Sequence, residues 1–310
     1  MKKIHIFLLA PFLSMAQNVS LKNPDQLFPI IHFEAQSPVK YQGNRNTCTA
    51  FAIAAALETF PNAPKDLSEK YLYAVQKSND YVNSQPTFKG DFLFRYVDAL
   101  KSFGAIKETD LPYNPQATLQ WYPNDDELTR YILEGDVGYI TLNTIYKPKA
   151  VVFLRDYEYL EGMKSKNIAY LKTMLNSGIK AIPVSYMLYL PAWSNERTLN
   201  YTTITPDKGY DVVSFTGTKM PFSQAKALMP NVISQIFKEN IKINQNDPTP
   251  NMYGKHAVTI IGYDNEGFII KNSWGNQWRF NGYERVSFDY HELFAIEALI
   301  IKSVSNTPTK

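Results

Sequence analysis

The sequence predicts an α+β fold on three observations. Helical spacing crowds into the stretch before residue 115, β-type alternation takes over after residue 180, and an antiparallel hairpin is legible between residues 256 and 271. With 310 residues, 45% of them hydrophobic and 14% aromatic, the chain has the core material for a large domain or for two lobes.

The helical part is read first. From Thr47 to Thr59 strong helix formers are apolar on nearly every side and Pro61 stops the run, which describes a helix buried in the middle of its lobe. A second helix is predicted from near Asp66, and a third from about Asp91 to Phe103, ended by Gly104. The middle of the chain turns toward strands, at Gly138 to Leu142, Ala150 to Leu154 and Ala181 to Leu188, with a helix from Ile168 to Asn176. Residues 194–255 are polar and interrupted by proline, with one helix expected from Phe222 to Lys238, and read as an elaboration on the core. The hairpin runs from His256 to Tyr263, through a turn at Asp264-Asn265-Glu266, and back from Gly267 to Lys271.

Residues 1–16 read as a signal peptide: Lys2 and Lys3, an apolar run from Ile4 to Leu13, and small Ser14 and Ala16 before the expected cut. Residues 17–37, with Pro24 and Pro29, read as an extended lead-in without room for a large pro-segment. The expected location is a periplasm or the outside of the cell. No later apolar run reaches the roughly 20 residues that span a bilayer, so no membrane span is expected after signal removal. A net charge of +3, with no long basic run, argues against nucleic acid as a partner.

Cys48 is the only cysteine and cannot form an intramolecular disulfide, although export would favour paired cysteines. It falls in the first turn of the first predicted helix, where unpaired backbone N–H groups and the helix dipole stabilise a thiolate. Turning the hairpin between Asn265 and Glu266 sets His256 opposite a position near Gly275, so Asn272 comes within a few residues of it across the ladder. An Asn amide oxygen can fix the tautomer and orientation of an imidazole without adding charge.

The stretch from Pro38 to Ala52, with Gln42-Gly43-Asn44-Arg45-Asn46-Thr47-Cys48 at its centre, resembles the nucleophile segment of papain-like cysteine peptidases. His256-Ala257-Val258 with Gly262-Tyr263, and Lys271-Asn272-Ser273-Trp274-Gly275 with Trp278 and Gly282-Tyr283, resemble that family's histidine and asparagine segments, in the same order. Weaker echoes at Leu67-Ser68-Glu69 and Leu111-Pro112-Tyr113 extend the likeness over most of the chain between Pro38 and Tyr290.

The resemblance implies a papain-like two-lobe fold over residues 38–310. It comprises a helical lobe over about 45–115, an antiparallel β-barrel-like lobe over about 120–305, an insertion over about 194–255, and an active-site cleft between the lobes. It implies Cys48 as nucleophile, His256 as general acid and base, Asn272 as its orienter and Gln42 as an oxyanion donor with the Cys48 N–H. Trp274 would shield the His256 to Asn272 bond, while Gly90, Asn46 and Trp274 would meet a peptide or protein substrate. No metal or other cofactor is implied. The alternatives are a catalytically silent binding protein on the same fold, and an acyl transferase using the same triad.

Four departures bear on this reading. Arg45 stands where relatives carry a disulfide cysteine, Asn46 and Thr47 replace a Gly-Ser pair, and Thr49 replaces a Trp. Lys255 and Arg279 would make the cleft more positive and lower the pKa of His256. The insertion would narrow or cap the cleft.

Overall fold

The computed structural model describes residues 27–83, 90–115, 141–194, 196–207, 211–213, 217–238, 242–244 and 253–308. The signal peptide and most of the lead-in lie outside the described residues.

The first helix, α1 (Cys48–Leu57), is buried at every position after Cys48, because its Ala, Phe, Ile and Leu side chains leave no polar face to turn to water. It is followed by α2 (Glu69–Val82) and α3 (Tyr96–Ser102). The expected third helix is shorter than its sequence pattern: Leu93–Arg95 forms a single 3₁₀ turn before α3. Gly104 ends that segment at φ +69°, where a Cβ would meet the Val152 carbonyl oxygen at 2.6 Å.

The sheet strands, in chain order, begin with β1 (Ile30–Ile31), β2 (Phe153–Glu161) and β3 (Ile182–Tyr189), with α4 (Ile168–Asn176) before β3. A small separate sheet follows from β4 (Asp211–Val213), β5 (Lys219–Pro221) and β6 (Lys242–Asn244), and between β5 and β6 stand α5 (Phe222–Leu228) and α6 (Val232–Phe237). The chain then returns to the main sheet with β7 (Tyr253–Tyr263), β8 (Gly267–Lys271) and β9 (Tyr283–Ser287), and closes with α7 (Phe288–Phe294) and β10 (Ala295–Ser305). The main sheet has the order β2-β10-β3-β7-β8-β9, with β1 pairing to the end of β7, and every pairing is antiparallel. It is an open sheet. The barrel-like closure expected from the resemblance is not seen among the described residues, since β2 and β9 stand at opposite edges.

Both faces of this sheet are covered. Leu299 and Ile301 of β10 pack with Ile53, Leu57, Leu72 and Leu100 of the helical part, whereas Ala298 and Ile300 pack with α4 and α7 on the other face. The Thr259 hydroxyl donates to the Ala52 carbonyl at 3.1 Å and fixes α1 against β7.

Several sequence expectations are corrected. Thr141 and Leu142 belong to a helical turn that runs through Tyr146, and the rest of that expected strand lies outside the described residues. The helix expected over 222–238 is broken into α5 and α6 by Met229-Pro230-Asn231, because proline cannot supply an N–H to continue the ladder. Residues 194–255 are also more than an elaboration: Ile204, Val212, Phe222, Ala225 and Val232 are buried in the core beneath α7 and β9.

Candidate active site

Cys48 opens α1, and the backbone N–H groups of Ala257, Thr49 and Cys48 itself lie near enough to its thiol to favour the thiolate. The thiol thus lies against β7, in a cleft that His256 and Ala257 also line. Thr47, the residue before the helix, hydrogen-bonds through its hydroxyl to the Tyr113 hydroxyl at 2.8 Å, and Tyr113 donates to the Gln42 carbonyl at 2.8 Å. Arg45, in the position of the absent disulfide cysteine, is buried with its guanidinium 4.8 Å from the Tyr113 ring centroid and donates to the Asn114 carbonyl at 3.1 Å. A cation stacked on an aromatic ring thus holds the loop ahead of the helix.

His256 Nε2 donates to Asn272 Oδ1 at 2.7 Å, and the same oxygen accepts the Ser273 N–H at 2.7 Å, which fixes the amide orientation. The second ring nitrogen, Nδ1, is thereby left to exchange protons. A β-bulge makes this pairing possible. Tyr263 and Gly262 pair with Phe268 and Ile269, but beyond the extra residue Ile261 the register slips by one, so Ile260 and Thr259 pair with Ile270 and Lys271. Continued by one position, the slipped ladder sets Asn272 opposite Val258, an even offset from His256, so both side chains share a face. The unslipped register would set Asn272 opposite Thr259 and turn it to the other face. Asn272 Nδ2 is buried with no hydrogen-bond partner among the described residues, an arrangement a fold does not keep for stability.

Trp274 stacks on the His256 ring with centroids 4.6 Å apart and a 30° tilt, and Trp193 meets the same ring edge-on at 6.2 Å. Two indoles therefore shield the imidazole. Gln42 is buried: its Oε1 accepts the Ser273 hydroxyl at 2.5 Å, and its Nε2 donates to the Arg45 carbonyl at 2.7 Å, leaving a second N–H for another acceptor.

Gln42, Cys48, Gly90, His256, Trp274 and Glu297 line one cleft of about 640 Å³, with exposed Asn46 at its rim. Six of the seven sequence-derived site residues thus line one cleft, and Asn272 is joined to it through its bond to His256. The Gly90 carbonyl accepts from Lys77 Nζ at 3.1 Å, and Lys77 also pairs with the Asp91 carboxylate at 2.8 Å, which pins this wall of the cleft. Apart from Gly254 and Lys255, no lining residue comes from the described part of the insertion, so the expected cap is absent there.

Electrostatically, Cys48 and His256 are both pushed toward their neutral forms. Burial pushes the Cys48 thiol up, against the pull of the three N–H groups, even though the residue as a whole is half-buried rather than sealed. The sulfur side faces the sheet, and desolvation there outweighs the helix N-terminus. Burial lowers His256 to about 4, partly offset by the Asn272 bond. The lowering expected from Lys255 has this other cause: Lys255 is exposed, with Nζ 5.3 Å from the Phe92 ring centroid. Arg279 adds no free charge to the cleft either. It is buried at φ 46°, bonded to Thr202, Ala192 and Ser194, and 3.8 Å from Glu284.

Sequence reasoning missed Ser273, which ties Gln42 to the asparagine segment, and Glu297. The signal for Glu297 was available as a lone carboxylate inside the apolar run from Phe294 to Ile301.

Residues 224–303 match the model of the papain family cysteine proteases. The chain is 35% identical to cathepsin Q of Rattus norvegicus over 77 residues, 22% of each protein, and 28% identical to human cathepsin L2 over 109 residues, 33% of this chain and 32% of that one. These alignments span less than a third of the curated relatives. In fold the chain is similar to xylellain, a cysteine protease from Xylella fastidiosa, with a TM-score of 0.58 over 90% of this chain and 88% of that one at 18% identity. The clostridial cysteine protease Cwp84 gives 0.55 over 92% and 58% at 17% identity. The matched segment is similar to that of the papain family cysteine proteases, and the chain has a papain-like α+β fold.

Proposed function

We propose that the chain is a cysteine peptidase that cleaves peptide bonds through a thioester on Cys48. The observation that carries this reading is the placement of His256: Nε2 is held by Asn272, and the imidazole lines the same cleft as Cys48. As sulfur attacks the substrate carbonyl carbon, its proton passes to His256 Nδ1 and the carbonyl π pair moves to oxygen. The resulting oxyanion is met by the Cys48 N–H and the second Gln42 Nε2–H. Collapse breaks the C–N bond, and the amine leaves with the proton from His256. Water then adds to the thioester while giving a proton to His256, and the acid is released as the thiol is re-formed.

The neutral resting pair fits this cycle, because proton transfer from thiol to imidazole creates two opposite charges that attract each other in a shielded site. The leader at residues 1–16 supports export, so that substrates would be met outside the cytoplasm. N-terminal sequencing of exported protein starting at Gln17 is the expected result.

The deciding experiment is labelling with an epoxysuccinyl thiol-protease inhibitor, with the adduct located by mass spectrometry. An adduct on Cys48 that is lost in His256→Ala, together with hydrolysis of fluorogenic peptides by the wild type alone, is expected. Equal labelling of folded wild type and His256→Ala, or hydrolysis that survives Cys48→Ala, would overturn the assignment.

A further inference from the structure

The two oxyanion donors of the proposed reaction, the Gln42 amide and the Cys48 N–H, stand at the two ends of one loop, residues 42–48. Between them the chain is turn and bend, so no ladder of backbone bonds fixes how far apart the donors sit. Both must nevertheless reach one point, about 3 Å from each.

Residues 111–115 close this loop from outside. The Tyr113 hydroxyl donates to the Gln42 carbonyl at 2.8 Å. A carbonyl can only accept, so the single phenolic proton is committed there, and the Thr47 hydroxyl, 2.8 Å away, donates to the phenol oxygen. One oxygen atom thereby joins the residue that carries the first donor to the residue just before the second. Thr47 is fully buried, and the ring of Tyr113 is held on several sides. The Arg45 guanidinium lies 4.8 Å from its centroid, Phe51 of α1 meets it edge-on at 4.8 Å, and its backbone N–H donates to Glu108 Oε1 at 2.6 Å. Arg45 returns the support to the donor itself, because its guanidinium bonds the Asn114 carbonyl at 3.1 Å while its own carbonyl accepts Gln42 Nε2 at 2.7 Å. Gly43 is pressed against the same segment: at φ +66° a Cβ would stand 2.0 Å from the Pro115 carbonyl oxygen.

On the reading of the cleft as a peptidase site, we propose that Tyr113 is a positioning residue for the oxyanion hole, its hydroxyl setting the separation of the Gln42 amide from the Cys48 N–H. Tyr113 lies outside the set of described residues that line the cleft, so it acts through the loop and not on the substrate. Stacked on this ring, Arg45 gives the loop a non-covalent brace at the position where a disulfide cysteine is absent. The brace matters to the transition state alone, since charge on the carbonyl oxygen develops only there.

The test compares two reactions of one sulfur. Peptide cleavage needs the oxyanion hole, whereas alkylation by iodoacetamide displaces iodide from a saturated carbon and forms no oxyanion. Tyr113→Phe keeps the ring for Arg45 and Phe51 and removes the oxygen. Its kcat on a fluorogenic peptide is expected to fall by about 10- to 30-fold with KM within about twofold, while the alkylation rate of Cys48 stays within about twofold of the wild type. Thr47→Val cuts the other arm of the bridge with a residue of the same shape, and is expected to lower kcat by about 3- to 10-fold with alkylation again unchanged. Because both substitutions break one link, the double variant should lie within about threefold of Tyr113→Phe. Losses that multiply in the double variant overturn the proposal, as does alkylation slowed in step with cleavage, the mark of a generally loosened thiol and imidazole. Should Tyr113→Phe not fold, an unchanged kcat in Thr47→Val overturns it as well. Wild-type kcat in both single variants overturns this inference alone, whereas no cleavage of any peptide and no Cys48 adduct in the wild type overturns it together with the peptidase reading.

Discussion

Gln42 and Ser273 are joined twice: the Gln42 backbone N–H donates to the Ser273 carbonyl at 2.8 Å, and the Ser273 hydroxyl donates to Gln42 Oε1 at 2.5 Å. The lead to α1 is thereby locked to the segment after β8, so the candidate oxyanion donor and the candidate histidine orienter share one support. Replacing Gln42 by Glu keeps an acceptor for Ser273 and removes the N–H donor. The expected outcome is a kcat lower by about 100-fold with little change in KM, measured on a fluorogenic peptide, with the thermal transition retained.

Asn272→Ala removes the hydrogen-bond partner of His256 Nε2. The imidazole then loses its fixed tautomer, and kcat is expected to fall by about 10- to 100-fold. Asn272→Asp instead offers the ring a negative partner, so His256 should titrate above its present value of about 4. Proton NMR of the His256 ring in the two proteins checks the direction, and an unchanged titration would remove Asn272 from the role of orienter.

Trp274 stacks on His256, and its loss admits water to a ring that burial now keeps neutral. In Trp274→Ala the His256 pKa should rise toward the ordinary value of about 6.5. The pH dependence of thiol labelling by iodoacetamide reads this shift, because protonation of the imidazole changes thiol ionisation in the pair.

Stability in acid has a calculable part. Burial lowers His256 to about 4 and His291 to about 3, so below pH 6.5 the unfolded chain binds protons that the folded chain refuses. The stability they contribute is complete above pH 6.5 and is lost as pH falls, by about 2 kcal/mol for each at pH 5. Glu69, raised to about 8, and Asp80, raised to about 6, act with the opposite sign, so a difference measurement isolates the histidine. His291→Gln can still accept from the Tyr186 hydroxyl and donate to the Ser165 carbonyl. Between pH 6 and 5 its stability in urea titrations should drop by about 1.2 kcal/mol less than that of the wild type.

Beneath the site, Glu58 accepts from Ser37, from Lys40 Nζ at 2.9 Å and from the Leu67 N–H at 2.8 Å, and Lys271 Nζ reaches the Ser37 carbonyl and hydroxyl at 2.7 and 2.8 Å. Glu58→Ala leaves Lys40 and Lys271 short of one anion in a buried cluster. A loss of about 3–5 kcal/mol in unfolding free energy is expected from chemical denaturation.

The helices and the hairpin were legible because α1 is apolar on all sides, α4 has clean caps, and a short turn joins β7 to β8. That the sheet stays open was not, since whether a sheet closes depends on which edges meet and leaves no periodic mark. β10 went unread for another reason: Ala-Leu-Ile-Ile is apolar on both sides because both sheet faces are covered, and a continuous apolar run has no strand period to detect. The grouping of Cys48, His256, Asn272 and Gln42 came from motif resemblance and arithmetic on the hairpin. The bulge at Ile261, which gives Asn272 its correct face, carried no sequence signal that distinguished it from a regular ladder. The shifts of Cys48 and His256 depend on burial by residues distant in sequence, and so could not be read from their neighbours.

Ile30 and Ile31 pair with Tyr263 and Gly262, where a Cβ on the glycine would stand 2.2 Å from the Ile30 carbonyl oxygen. Six residues of extended chain separate Gly262 from His256, about 20 Å. A purification tag, a fluorescent reporter or a surface tether joined directly to this short strand would therefore be anchored about that far along β7 from the imidazole.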